Sequence, residues 1–331
     1  MAAHISFSGV RFPVAEGETV LECLTRNGVN VPHACCAGVC QSCLVQATAG
    51  EIPAAAQAGL KPTYVKQGLL LACQCKPTGD LAVRLAEGSG LDMPVQVLDR
   101  AMLNHNVMRL RLGFAPAFAC EPGQYVTLAN TAGLARSYSV ANDPAHDGYV
   151  ELHIRLLPGG LMSTFLDAEA RVGLSMVLRG PAGNCFYAPE GGGEFPMVLA
   201  GTGTGLAPLY GIARQALAKG HAGHITLFHG ALRESDLYLV EALQGLQAAH
   251  GNFSYVPCVL GGTAESFYRC GNVEDMVMAS LPADTPATRL FLCGAPEFVK
   301  SLKRKAFLKG VRSAHIYADA FLPAKSVASA A

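Results

Sequence analysis

Six of the twelve cysteines, Cys35, Cys36, Cys40, Cys43, Cys73 and Cys75, fall within 41 residues of a 331-residue chain. The run Pro32-His33-Ala34-Cys35-Cys36-Ala37-Gly38-Val39-Cys40-Gln41-Ser42-Cys43 contains a C-x4-C-x2-C spacing, and Leu71-Ala72-Cys73 follows thirty residues later. That spacing is the plant-type 2Fe-2S pattern. Each ferric iron takes two soft anionic ligands beyond the bridging sulfides; a compact loop supplies three thiolates and a later strand end the fourth, while loop amides donate to the sulfurs. A structural zinc site would prefer paired C-x2-C units, and only one is present. Buried thiols without metal are the plainer alternative. Cys36 stands one residue and Cys75 two residues from a ligand position, and each is capable of replacing it; spacing favours Cys35, Cys40, Cys43 and Cys73.

Two further clusters carry redox chemistry of another kind. Arg136-Ser137-Tyr138-Ser139 follows Pro122-Gly123-Gln124-Tyr125 and resembles the R-x-Y-S signature of the ferredoxin-NADP reductase superfamily. The residue types suit a flavin: arginine for its phosphate, tyrosine for its ring face, and the Ser139 hydroxyl for the N5 edge. His153-Ile154-Arg155 runs into Pro158-Gly159-Gly160-Leu161-Met162-Ser163, a strand, a Gly-Gly turn and a helix start. Bare amides at a helix start bind a pyrophosphate, so this pair of motifs implies FAD more than FMN. An ordinary turn and an ordinary helix-start hydroxyl are the alternatives for Gly159, Gly160 and Ser163.

The third cluster is Gly201-Thr202-Gly203-Thr204-Gly205-Leu206-Ala207-Pro208, a glycine-rich turn between strand and helix. It lacks the G-x-G-x-x-G of a Rossmann site and resembles instead the G-x-G-x-G-x-x-P of the same reductase superfamily, where the backbone approaches a dinucleotide. Leu292-Cys293-Gly294-Ala295-Pro296 resembles that superfamily's second signature, whose cysteine lies beside the nicotinamide. The strand ending Val259-Leu260-Gly261-Gly262-Thr263 lacks the Ser and Arg that hold a 2'-phosphate in relatives using NADPH, which favours NADH. Arg233 is a candidate for the adenosine ribose or a phosphate, and Phe321 for an aromatic end near the flavin.

The elements that must position these residues change character along the chain. Ile5 to Phe7 and Val10 to Phe12 read as a hairpin around Ser8-Gly9, and Thr19 to Leu24 as a helix stopped at Asn27-Gly28. Beyond a linker at Glu87-Gly88-Ser89-Gly90, six β-type runs (95–98, 107–112, 125–128, 137–140, 149–157 and 174–178) suggest a closed or nearly closed antiparallel barrel. From Phe195 strands and helices alternate, with helices expected over 206–218, 237–248, 273–281 and 297–308; this rhythm argues a parallel sheet. Three domains follow: 1–88, 93–190 and 195–331. Lys plus Arg and Asp plus Glu are 25 each, so no global field points to nucleic acid or an anionic membrane. The absence of a long apolar run and of a secretory pattern points to a cytoplasmic protein without membrane insertion.

Taken in order, the cysteine loop with Leu-Ala-Cys-Gln-Cys-Lys-Pro, the flavin motifs and the nucleotide motifs resemble the reductase components of ring-hydroxylating dioxygenases, of the naphthalene-dioxygenase type. Cys36 and Gln41 depart from that pattern, standing where the family favours a small or polar residue and a glycine. The resemblance implies a β-grasp ferredoxin domain, a six-stranded antiparallel flavin-binding barrel and a parallel-sheet nucleotide-binding domain. It also implies hydride transfer from NADH to FAD, then single electrons through the cluster to a Rieske-type ferredoxin or terminal oxygenase. The other readings are service to a diiron monooxygenase, a flavoenzyme acting directly on a small substrate, and a redox sensor.

Overall fold

The structure, a computed structural model, describes residues 3–33, 35–39, 41–60, 62–85, 92–114, 119–188, 194–261, 267–281 and 285–322. Cys40, the expected linker at 87–90, and Gly262 and Thr263 lie outside the described residues.

The N-terminal unit contains β1 (His4–Phe7), β2 (Val10–Pro13), α1 (Val20–Arg26), β3 (Leu44–Ala49), α2 (Pro62–Lys66), β4 (Leu69–Leu71) and β5 (Leu81–Leu85), with the sheet ordered β2-β1-β5-β3-β4. Ser8 and Gly9 both take positive φ (49° and 83°), the turn geometry whose twist matches the strands it joins. Thr19 caps α1 reciprocally: Glu22 N donates to Thr19 Oγ1 at 3.2 Å, and Thr19 N donates to Glu22 Oε2 at 2.8 Å. The apolar stripe Val20, Leu21, Cys23 and Leu24 is thereby laid on the sheet. Helix over mixed sheet is the expected β-grasp arrangement.

The middle unit contains β6 (Asp92–Met102), β7 (Val107–Gly113), β8 (Tyr125–Ala129), β9 (Ala135–Ser139), α3 (Pro144–Asp147), β10 (Val150–Arg155), α4 (Leu161–Glu169) and β11 (Ser175–Ala182). All six expected strands are present, in the order β10-β7-β6-β11-β8-β9, and a bridge between Val140 and Leu152 brings the two ends together. Alternation decides which residues fill the barrel: Met108, Leu110 and Leu112 point inward along β7.

The last unit contains β12 (Met197–Thr202), α5 (Leu206–Ala218), β13 (Ile225–Ala231), α6 (Val240–Ala249), β14 (Phe253–Val259), β15 (Arg269–Cys270), α7 (Val273–Ser280), β16 (Arg289–Gly294), α8 (Pro296–Leu308) and β17 (Ile316–Ala320). Its parallel sheet runs β15-β14-β13-β12-β16-β17, so the strand order reverses at β12 and a crevice opens beyond the carboxyl ends there. One helix begins later than its sequence pattern suggests. Residues 237–239 are not helical: a 3-10 turn spans Glu234–Asp236, Leu239 is left-handed (φ 55°), and Leu237 and Tyr238 are buried by separate tertiary contacts. Tertiary packing overrides the apolar periodicity at that point.

Replacing Thr19 with Ala removes the bond from Glu22 N to the Thr19 hydroxyl, leaves the Thr19 backbone amide bonded to Glu22, and is expected to lower stability by about 1 kcal/mol. Chemical denaturation of the two proteins, followed by far-ultraviolet circular dichroism, measures the difference.

Candidate functional site

A cleft of about 1160 Å³ runs along the crevice of the parallel sheet, past the open edge of the barrel, to the cysteine loop. Pockets for one drug-sized ligand reach roughly 1,000 Å³, so this one has room for more than a single ring system. All three units contribute walls: His33, Cys35 and Val39 from the first, Arg136 to Ser139 from the second, and Thr202 to Thr204 with Asp319 to Leu322 from the third.

In the cysteine loop, Cys35, Cys43 and Cys73 are buried at 6%, 3% and 8% exposure. The backbone folds tightly there because Cys36, Gly38 and Gln41 all take positive φ (50°, 76° and 57°). Gln41 therefore adopts the left-handed conformation that favours glycine, at the usual cost for a residue with a Cβ. Ala37 N donates to Cys35 Sγ at 3.4 Å, and Gln74 Nε2 donates to Cys73 Sγ at 3.4 Å. Bonding from Cys43 first, then Gln74 and the Gly38 amide, outweighs desolvation and draws the Cys73 thiol down to about 6. Cys75 lies in the apolar core, and burial pushes its thiol up to about 11. Donors aimed at sulfur suit a thiolate-ligated cluster. Among the described residues, no group of three His, Cys, Asp or Glu side chains is arranged to hold a single metal ion.

Arg136, Ser137, Tyr138 and Ser139 all line the cleft. Arg136 Nη1 donates to the carbonyls of Ala135 (2.6 Å) and His33 (3.4 Å). Burial raises the Tyr138 phenol, which stays neutral. Ser139 Oγ donates to Asp319 Oδ2 at 3.0 Å across 180 residues, and the Asp319 carboxyl is raised by burial, partly opposed by that bond. His153, Arg155, Gly159, Gly160, Met162 and Ser163 also line the cleft. Gly159 takes φ 72°, and a Cβ on Gly160 would lie 3.1 Å from both Leu157 O and Ser163 Oγ. Ser163 Oγ accepts from Leu157 N at 3.0 Å, so this hydroxyl builds the turn that leaves the first amides of α4 bare.

The ring of His153 is buried, and its Nε2 bonds Glu151 Oε1 at 3.1 Å. Its Nδ1 is buried with no hydrogen-bond partner among the described residues, a group that a bound molecule would satisfy. Arg111 Nε donates to the other oxygen of Glu151 at 2.7 Å. Burial works to raise the Glu151 carboxyl, but His153 and Arg111 together hold it down at about 2.

At the nucleotide turn, Thr202, Gly203 and Thr204 line the cleft, and Gly203 has φ 54° with open space where a Cβ would stand. The orphan pocket atom, the bare turns and the open glycine fit a dinucleotide and a flavin.

Five expected site residues stand elsewhere. Ile154 is fully buried in the barrel core. Gly201 and Gly205 are packing glycines: a Cβ would meet Leu209 Cδ1 at 2.8 Å and Cys293 O at 2.1 Å respectively. Arg233 is exposed beside the 3-10 turn, where its backbone N donates to Asp236 Oδ2 at 3.0 Å; Asp236 is the residue that lines the cleft. Cys293 is completely buried, its Sγ 3.7 Å from that of Cys185, and burial raises its thiol; the next residue, Gly294, faces the cleft instead. Phe321 lines the cleft as expected, with its N donating to Gly294 O at 2.8 Å. Sequence reasoning missed Asp319, whose signal was a lone acid in the apolar run Tyr317-Ala318-Asp319-Ala320-Phe321.

A cysteine loop, an antiparallel barrel and a parallel sheet sharing one cleft define a flavin-dependent reductase with its own iron–sulfur domain. Residues 3–78 match the 2Fe-2S iron-sulfur cluster binding domain, 94–187 the oxidoreductase FAD-binding domain and 199–304 the oxidoreductase NAD-binding domain. The chain is 33% identical over 318 residues to the ferredoxin–NAD(P)+ reductase component of the naphthalene 1,2-dioxygenase system of Pseudomonas putida, covering 94% of this chain and 95% of that one. It is 34% identical to the reductase subunit of an aromatic O-demethylase from Amycolatopsis, covering 98% and 100%. The crystal structure of an Amycolatopsis cytochrome P450 reductase superposes with a TM-score of 0.70 at 33% identity, over 97% of this chain and 99% of that one. The chain belongs to this family of iron–sulfur flavoprotein reductase components, and its cofactors are a 2Fe-2S cluster, FAD and NADH. No helix among the described residues is long and apolar enough to cross a membrane.

Cys73→Ser is expected to abolish the cluster, whereas Cys75→Ser or Cys36→Ser leaves both irons in place; iron analysis and the visible spectrum of anaerobically purified protein distinguish them. Because the Glu151 carboxyl is held near 2 against an ordinary 4.5, its contribution to stability is complete above pH 4.5 and lost as pH falls toward 2. Glu151→Gln is expected to flatten that acid limb in denaturation midpoints measured across the window.

Proposed function

We propose that the chain delivers electrons from NADH to a Rieske-type ferredoxin or to the terminal oxygenase of an aromatic-hydroxylating system. The observation that carries this reading is the single cleft shared by the flavin motif, the nucleotide turn and the cysteine loop. When bound, NADH supplies a hydride, FAD takes the electron pair, and the cluster passes electrons on singly.

The chain's part is alignment. Cys35, Cys40, Cys43 and Cys73 would ligate the cluster. Arg136, Tyr138, the His153 Nδ1 and the bare amides after Gly160 would hold FAD, with Arg155, Met162 and Ser163 shaping its pocket. The amides from Thr202 to Thr204 would take the dinucleotide's pyrophosphate. Asp319 holds the Ser139 hydroxyl at 3.0 Å and fixes where its oxygen points; Ser139 and Asp319 therefore take the place that Cys293 held as a candidate for orienting the reacting rings. The Asp236 carboxylate in the cleft supports NADH, because a 2'-phosphate there would meet like charge. Domain limits of 1–88, 93–190 and 195–331, and a cytoplasmic setting, complete the proposal.

The relatives serve oxygenases of different kinds, a naphthalene dioxygenase system in one and an aromatic O-demethylase in another. Reconstitution with a purified ferredoxin and with a purified terminal oxygenase separates the two acceptors named in the proposal. Anaerobic titration with NADH is expected to bleach flavin and cluster together, with NADPH at least about 100-fold less efficient. Flavin bands without cluster absorption, despite full iron analysis, would falsify the proposal. Asp319→Ala is expected to slow flavin reduction by NADH roughly 10- to 100-fold while changing NADH affinity less than about twofold, as lost alignment requires; rapid mixing under anaerobic conditions reads both.

A further inference from the structure

The ferredoxin unit meets the barrel through hydrogen bonds, several of them made by its cysteine loop, and hydroxyl groups take part in that contact. Ser42, immediately before Cys43, is completely buried, and its Oγ lies 3.2 Å from Oγ1 of Thr127 on β8. Thr127, 4% exposed, stands directly across from Ser137 in the β8–β9 register, with the two hydroxyl oxygens 3.1 Å apart. Ser137 is the second residue of the flavin tetrapeptide and lines the cleft. Three hydroxyls thus form an unbroken chain from the residue beside a cluster cysteine to the strand that would carry the flavin. The Ser42 carbonyl is held as well, accepting from Arg179 Nη1 at 3.2 Å.

Packing does not demand this chain. Valine has nearly the shape of threonine and would fill the same space on β8 without bringing a hydroxyl out of water, which costs free energy unless the group is bonded. What the hydroxyls add is direction. Apolar contacts tolerate sliding by a few tenths of an ångström, whereas a chain of bonds near 3 Å fixes each oxygen relative to the next and polarises along its length.

We propose that the Ser42–Thr127–Ser137 chain is a positioning device that sets the cluster loop in one register against the flavin-binding strand, so that the step from flavin site to cluster crosses a single fixed distance. The proposal rests on the reading that FAD occupies the cleft and the cluster occupies the cysteine loop. Neither Ser42 nor Thr127 lines the cleft; they act through the loop and strand to which they belong.

The test compares Thr127→Val, which keeps shape and removes the hydroxyl, with Thr127→Ser, which keeps the hydroxyl. Both are made in the full-length protein with flavin and iron contents verified. After anaerobic mixing with NADH, flavin bleaching and cluster bleaching are followed separately. The Val variant is expected to reduce its flavin within about twofold of the parent rate while cluster reduction slows roughly 10-fold, as a small misplacement would produce. Hydrogen exchange of amides 41–45 in the oxidised protein, a readout independent of turnover, is expected to quicken by a similar factor. The Ser variant should restore both. Ser42→Ala breaks the chain at its other end and should give the same split even if the Val variant folds poorly. Parent rates of cluster reduction and parent exchange in Thr127→Val and Ser42→Ala would overturn the proposal, as would equal slowing of both bleaching phases. Loss of the functional reading would look different, since the parent protein itself would then lack flavin or cluster bands.

Discussion

Strand β9 is five residues long, and its side chains and backbone are engaged by all three units of the molecule. Arg136 reaches the His33 carbonyl, Ser137 reaches Thr127 and through it Ser42, and Ser139 reaches Asp319. At roughly 3.3 Å per residue those attachments fall within about 10 Å of strand. A slip of one residue would exchange the two faces and break every one of them. The register is held by pairing with β8 from Tyr125↔Ser139 to Ala129↔Ala135. The geometry of the whole site therefore depends on one antiparallel pair, and that pair lies inside a barrel whose core closes around it.

The second constraint is close approach of backbone at the nucleotide turn. Gly205 lies where a Cβ would come within 2.1 Å of Cys293 O, and Gly294 where it would come within 2.5 Å of Thr202 Oγ1. These contacts draw the ends of β12 and β16 together at the point where strand order reverses, which is what makes the crevice. The glycines of this turn thus divide their work. Gly201 and Gly205 set the packing behind the turn, and Gly203 alone leaves open space on the cleft side. A motif counts all three as one signal because the chemistry needs both jobs done within five residues.

That division explains what could be read from the sequence and what could not. Motif order announced three units, and local periodicity placed α1, α5 and all six barrel strands, because each depends on neighbours in the chain. The cleft residues from Arg136 to Ser139 and from Gly159 to Ser163 were legible for the same reason. Side-chain direction was not. Cys293 turns into the core against Cys185, 108 residues away, and Ile154 points into the barrel while its neighbours His153 and Arg155 face the cleft. Asp319 gains its place only through Ser139, 180 residues earlier, and no local pattern records such a pairing. Gln41 is instructive in the other direction: it takes a left-handed backbone that favours glycine although it carries a Cβ, which its residue type does not announce.

The two junctions between units differ in kind. Between barrel and nucleotide unit a single apolar core is shared: Val107, Cys185 and Tyr187 pack in one cluster with Leu199, Leu206, Ile212 and Phe291. The His153 ring adds an edge-on contact with Tyr238, their centroids 5.5 Å apart. Between ferredoxin unit and barrel no buried apolar cluster among the described residues is shared; the junction is made by hydrogen bonds such as Asn30 to Ala132 O and Arg179 to Ser42 O. Separating the first pair would expose apolar surface at about 25 cal/mol per Å². Opening the second exchanges protein hydrogen bonds for water at a net cost of only about 1 kcal/mol each. The residues that would hold the flavin and the nicotinamide must align the two rings, and that site falls on the apolar junction. The step from flavin site to cysteine loop falls on the polar one, where directed hydrogen bonds and not apolar burial set the register.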